Sequence, residues 1–441
     1  MIEPPARAAG LKASFAAYAA IPLTYKFAVA FAAGAVVGWL FGPSAAALQP
    51  LGDVFIRLLR WLVFPVVITT ILTGMSSTDV RATGSLGLIV IVFYLSTTLA
   101  ATATGTIVAA LLHPGAGMVH ADAPAAAHSA ARIAPGVSGV RVLSGNLVAA
   151  LTNGGLLPAT VTTIAIALLV AKLRDTPRFD RLRPVTRSIS LFDRLVRGAI
   201  DAVMLYAPIG TFALIAVTFS NANTAMANDL ARVFASVYLG QLAVVAGWLV
   251  VVALVGVPVW AFVSQVHPPL LTAFATGSSA ASLPVEIETA RRSLGVAPGL
   301  FAFSLPLGVA IHKTGTAVHL AVTAAFASNI AGQPMSVEQG GAIAVAALIA
   351  AVVTPPVSGG SYVVMAGMLQ ALGLPLTVIA MVAGIPFIGK LNTPINALGR
   401  LASTVVVAQT ARRHPVVSTG TGRNGLSVRK DSAEPAEHFV P

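Results

Sequence analysis

Between residues 85 and 112 the chain carries no Asp, Glu, Lys or Arg, and long apolar runs return along most of its length. A membrane-spanning helix needs about 20 mostly apolar residues. Such runs fall near 24–42, 48–75, 85–112, 146–171, 195–219 and 230–260, and three further apolar blocks lie near 264–284, 297–330 and 340–410. Only 10% of the 441 residues are charged, against about 25% in a soluble domain. These features place the chain in a bilayer as an all-α integral membrane protein. With no cysteine, disulfides and thiolate metal sites are excluded.

The net charge of +12 would suggest nucleic acid in a soluble protein. Here the basic residues gather in loops and in the tail, so membrane topology is the better explanation. Residues 172–197 carry Lys172, Arg174, Arg178, Arg181, Arg183, Arg187, Arg194 and Arg197, which predicts a cytoplasmic loop. Residues 113–145 read as a polar loop. Both termini are expected inside a multi-pass protein of the cytoplasmic (inner) membrane. Residues 1–21 form a short, retained cytoplasmic N-terminus, since Lys26 interrupts any signal-peptide core. Residues 413–441 read as a disordered basic tail.

Two polar clusters interrupt the C-terminal apolar blocks: TGSSAASLP at 276–284 and TPPVSGGSY at 354–362. Bare backbone in lipid costs several kcal/mol per unsatisfied group, so non-helical segments at membrane depth must face protein or water. Two such clusters, each followed by a long helix with polar interruptions, predict a pair of re-entrant hairpins near 264–284 and 340–375. They also suggest an inverted repeat of the kind that frames transporter sites.

Several strings resemble the dicarboxylate/amino acid:cation symporters, a family that includes the glutamate transporter homologues. They are LGDVFIRLLRWLVFPVV (51–67), HPGAG (113–117), YAPIGTFALIA (206–216), SSAASLP (278–284) and GLFAFSLPLG (299–308). The resemblance covers about 22–412. It implies eight transmembrane helices, two re-entrant hairpins and a homotrimer. It also implies a scaffold mainly at 22–75 and 146–219, and a moving transport core mainly at 85–112 and 230–412. Substrate would sit between the hairpin tips and the broken middles of the last two helices. The resemblance places Ser278, Ser279, Thr316, Val357, Gly359, Ser361, Asn392, Thr393 and Asn396 at the substrate, and Lys390 beside them as a candidate for a second carboxylate.

The departures from that pattern carry as much as the matches. Where the family has Asn-Met-Asp-Gly-Thr, this chain has His312-Lys313-Thr314-Gly315-Thr316. Its last helix lacks the family's two aspartates and its arginine, with Gly389, Asn392 and Arg400 at those positions. Sodium prefers oxygen ligands, carboxylates above all, and the resemblance implies that the aspartates replaced by Thr314 and Arg400 serve the family's sodium sites. Tyr94, Thr97 and Thr98 remain from one site without its charge. Like charges 4 Å apart repel by about 4 kcal/mol even at an effective dielectric of 20. Sodium is therefore not expected, and no metal site or cofactor is assigned. Instead Lys313 and Arg400, with His312 and Thr314 beside them, are expected to serve as built-in cations or coupling groups. Intramembrane charges are costly and default to functional candidates. Glu286 and Glu288 are expected at the cytoplasmic-side surface.

The expected function is secondary transport of a small carboxylate or dicarboxylate by an elevator-type shift, coupled to protons or running as exchange. Conventional sodium- or proton-coupled uptake of dicarboxylates, glutamate or aspartate, and an anion channel or substrate sensor, stay open. No nucleophile triad, metal cluster or phosphate loop points to an enzyme.

Overall fold

A computed structural model describes residues 21–76, 84–118, 160, 162–163, 166–167, 183–220, 224–333, 335–384 and 389–413. Among these residues the fold is helical, with no strand. The expected span at 146–171 lies largely outside them, as do most of the 113–145 loop and the tail beyond Arg413. The basic stretch expected as a loop at 172–197 is corrected in part: from Arg183 onward it is helix.

Helix α1 (Leu23–Phe41) leads through a 3₁₀ turn (Gly42–Leu48) into α2 (Gln49–Ser76), and both pack against α4 (Arg183–Phe219). Helix α3 (Gly84–Leu112) packs instead against α5 (Thr224–Leu254), α9 (Thr314–Ile330) and α10 (Val337–Val352). Within the described residues, four stretches are long and apolar enough to cross a membrane: Leu23–Thr73, Gly87–Leu112, Arg187–Phe219 and Met226–Leu254. Their outer faces stay apolar, with Val29, Trp39, Leu88, Leu111, Leu242 and Leu254 exposed. A helix apolar on every side suits lipid on one side and protein on the other.

The second half repeats an order of elements. Helix α6 (Val259–Thr276) meets α7 (Ser279–Arg292) at a tip; α8 (Pro298–Ile311) then breaks before α9. Helix α10 meets α11 (Gly360–Ala371) at a second tip; α12 (Val378–Gly384) and α13 (Asn392–Arg413) follow, separated by residues 385–391. The helix periodicity of the sequence ends at each tip because Gly and Pro gather there, as at Gly277 and at Pro355, Pro356 and Gly359. Gly359 adopts φ 78°, open to glycine at no steric cost. A Cβ at that position would lie 2.5 Å from the sulfur of Met204 on α4.

The α8–α9 break has another origin, for neither His312 nor Lys313 is a helix breaker. Both leave the helical region, with φ −98° ψ 102° and φ −134° ψ 50°. Tertiary contacts hold the break open. His312 stacks on Tyr94 of α3 with ring centroids 4.5 Å apart and meets Trp248 of α5 edge-on. Asn396 of α13 accepts from the freed N–H groups of Gly315 (2.8 Å) and Thr316 (3.3 Å). That amide satisfies two of the four orphan donors at a helix start.

Candidate functional site

The two tips and the two broken helices converge. Ser278 caps α7 by accepting from the Ala281 N–H, and its hydroxyl donates to the Pro356 carbonyl of the other tip at 2.9 Å. The Ala280 N–H donates to the same carbonyl at 3.3 Å. Below the joined tips lies a cavity of about 260 Å³, near the small end of the roughly 300–1,000 Å³ usual for ligand sites.

The cavity wall brings together most of the residues singled out in the sequence. Ser279 comes from the start of α7, and Lys313 and Thr316 from the start of α9. Val357, Gly359 and Ser361 come from the second tip and the start of α11, and Lys390, Asn392, Thr393 and Asn396 from the start of α13. The N-terminal end of α1, including Phe27, closes one side. Besides that of α1, four helix starts therefore border one small space. A helix start carries exposed N–H groups and about half a positive charge, which favours an anion. The described wall holds two lysines and no Asp or Glu.

The polar side chains divide into those already engaged and those left open. Asn396 is engaged: besides its carbonyl bonds, its amide donates to the Thr316 hydroxyl at 3.0 Å. Asn392 is held from behind. Its carbonyl accepts from Gln241 of α5, and its amide meets His319 Nδ1, both at 2.8 Å. Lys390 reaches the wall with its ammonium 4.8 Å from the centroid of the Phe274 ring on α6, a cation–π contact. Lys313 is 1% exposed, and among the described residues no carboxylate forms an ion pair with it.

Ser278, His312, Thr314 and Arg400 do not line the cavity. Ser278 ties the tips together. His312 lies behind the wall, where its Nε2 meets the Thr97 hydroxyl at 3.0 Å. Thr314 and Arg400 are wholly buried.

Arg400, expected as a built-in cation, lies in a buried ion pair. Its Nε donates to Glu286 Oε2 at 2.8 Å and its Nη2 to Oε1 at 2.5 Å. Ser282 adds a third bond to that carboxylate at 2.8 Å. Glu286, expected at the surface, is fully buried, while Glu288 is half-buried and pairs with Arg291 and Arg292. The physical reason is helix phase. Ser282 and Glu286 lie four residues apart on one face of α7, turned toward α13. The arginine is packed in place as well: a Cβ on Gly308 would lie 2.8 Å from its Cγ and Cδ.

Several oxygens of this region are already engaged. The Glu286 oxygens are taken by a guanidinium and a hydroxyl. The Tyr94 hydroxyl donates to the Ser304 carbonyl at 2.9 Å, and the Thr98 hydroxyl to the Tyr94 carbonyl at 2.7 Å. The Arg400 guanidinium is the fixed positive group among them.

Sequence reasoning missed the Glu286–Arg400 pair and the Gln241–Asn392–His319 chain. The signal for the pair was present: an arginine in an apolar helix cannot shed its proton and must find an acid. For the chain of amides no comparable signal exists, since Gln and Asn need no particular partner.

A model of the sodium:dicarboxylate symporter family matches residues 23–410. The proton/glutamate-aspartate symporter of Escherichia coli (strain K12) is 28% identical over 380 residues, which cover 82% of this chain and 85% of that protein.

Proposed function

Because the chain belongs to the sodium:dicarboxylate symporter family, a family of membrane transporters rather than enzymes, we propose that it carries a small organic anion whose coupling does not use sodium. The substrate is a carboxylate or dicarboxylate that needs no amino group. Coupling is to protons, or the protein exchanges one anion for another. The observation that carries this reading is the cavity wall: four helix starts, Lys313 and Lys390 face it, and no described carboxylate does. An anion is stabilised there, and an ammonium group is not.

Two further points support the reading. The buried Arg400–Glu286 pair holds a permanent cation where sodium would need carboxylate oxygens. The packing of α1 and α2 on α4, apart from the packing of α3 on α5, α9 and α10, fits a scaffold and a moving core. On this reading the core shifts as a unit in an elevator-type movement, within a trimer of the family type, in the inner membrane.

The name of the Escherichia coli relative favours a second reading, proton-coupled uptake of glutamate or aspartate. In this cavity an α-amino group would meet no described acid. A thermal-shift screen of the purified protein separates the two, because a ligand that binds only the folded state raises apparent stability. Succinate is expected to stabilise the protein more than aspartate does. Uptake of the stabilising acid into proteoliposomes is expected to be the same in sodium and in choline medium. A requirement for a sodium gradient would overturn the coupling, and stabilisation by aspartate alone would overturn the substrate class.

A further inference from the structure

We propose that Lys313 is the proton-coupling group: its side chain is a neutral amine when the cavity is empty and takes up a proton together with the anion. The inference rests on the anion reading of the cavity given above.

The argument is electrostatic and geometric. Lys313 is 1% exposed and lines the cavity. It is also the N-cap residue of α9, so its backbone sits at the positive end of that helix, with three more helix starts around the same space. A cation at a helix start is unfavourable, and a buried ammonium without a counter-charge is costly. The charged groups around Lys313 do not relieve it. Arg400 on α13 is a like charge, and the one buried acid nearby, Glu286 on α7, is spent on Arg400 and Ser282. Arg197 on α4 has its own partner in Asp193 at 2.7 Å. Lys390 shares the wall and is again a like charge. His312 is adjacent in sequence and is held by Thr97 behind the wall.

An incoming carboxylate reverses this balance. It supplies the missing counter-charge, so the ammonium becomes the favoured form. The chemistry is a single protonation. The lone pair of Nζ accepts a proton from solvent, an N–H bond forms, and the substrate stays ionised. Anion and proton then occupy the cavity together and leave together, which is symport without a metal. A lysine can do this because its ammonium sheds a proton readily on burial, whereas an arginine cannot.

Calorimetric titration of succinate into the full-length protein, in two buffers of different ionisation enthalpy at mildly alkaline pH, counts the protons taken up. The wild type is expected to take up about one proton per succinate bound. His312→Gln, His319→Gln and Lys390→Gln are expected to retain that uptake, with whatever affinity they have. Lys313→Arg keeps the charge without the exchangeable proton, and is expected to bind succinate with no uptake. A wild type whose heat is the same in both buffers overturns the proposal. So does loss of uptake in a histidine variant or in Lys390→Gln, or uptake that persists in Lys313→Arg. Should Lys313→Arg fail to fold, Lys313→Met takes its place, and uptake that persists there overturns the proposal in the same way. An absence of binding by succinate and by a panel of other small carboxylates would instead overturn the anion reading itself.

Discussion

Arg400 and Lys313 are both basic side chains removed from water, and their surroundings differ. Arg400 lies in a two-pronged ion pair with Glu286 and never reaches the cavity. Lys313 reaches the cavity and has no described acid beside it. The difference follows from the chemistry of the two groups. A guanidinium is permanently charged and has to bring its counter-ion into the fold. An amine can be left without one, and the substrate can supply it.

The largest expected effect breaks the paired side of this comparison. Glu286→Gln leaves a buried charge without its partner and is expected to cost about 3–5 kcal/mol of stability, read as a large fall in the unfolding temperature. Replacing both partners by leucine is expected to recover most of that loss, since a buried pair is often no better than a well-packed apolar one. An unchanged midpoint in Glu286→Gln would mean that Arg400 does not depend on this acid.

The next effect tests the unpaired side. Lys313→Met is expected to weaken succinate binding roughly ten- to a hundredfold, on the scale of about 1.5–3 kcal/mol for a bond to a charged group. Its folding stability is expected not to fall. Affinity within twofold of wild type would place the anion elsewhere.

Gly308→Ala sharpens the comparison without touching a charge. The new methyl presses on the Arg400 stem, and overpacking of this kind costs about 1–3 kcal/mol. That loss should shrink in the leucine pair, where the stem is gone. The smallest effect is expected from Lys390→Met. This lysine is half-buried and already rests on the Phe274 ring, so about 0.5–1 kcal/mol, a few-fold in affinity, is at stake. A loss as large as that of Lys313→Met would make Lys390 the principal anion anchor.

Much of this arrangement is legible in the sequence, and the limits are specific. The two tips are visible because glycine, proline and hydroxyl residues collect where apolar runs stop. The α8–α9 break is visible only through its family resemblance and its odd charges, since His312 and Lys313 are not helix breakers. Their conformation is imposed by Tyr94, Trp248 and Asn396, from three other helices. The depth of Glu286 is hidden by its neighbours. Glu288, Arg291 and Arg292 mark the segment as surface, and only the phase of α7 against α13 turns Glu286 inward.

Composition and periodicity by themselves determined that this chain lives in a membrane as helices and that basic residues interrupt its apolar core. They did so because lipid tolerates few charges and demands that the backbone satisfy itself. Which positive charge is neutralised and which is left for a substrate was decided by tertiary structure alone. Glu286 and Arg400 stand 114 residues apart in the chain, and the pairing of a buried ion depends on which helix faces meet, a property that no local pattern encodes.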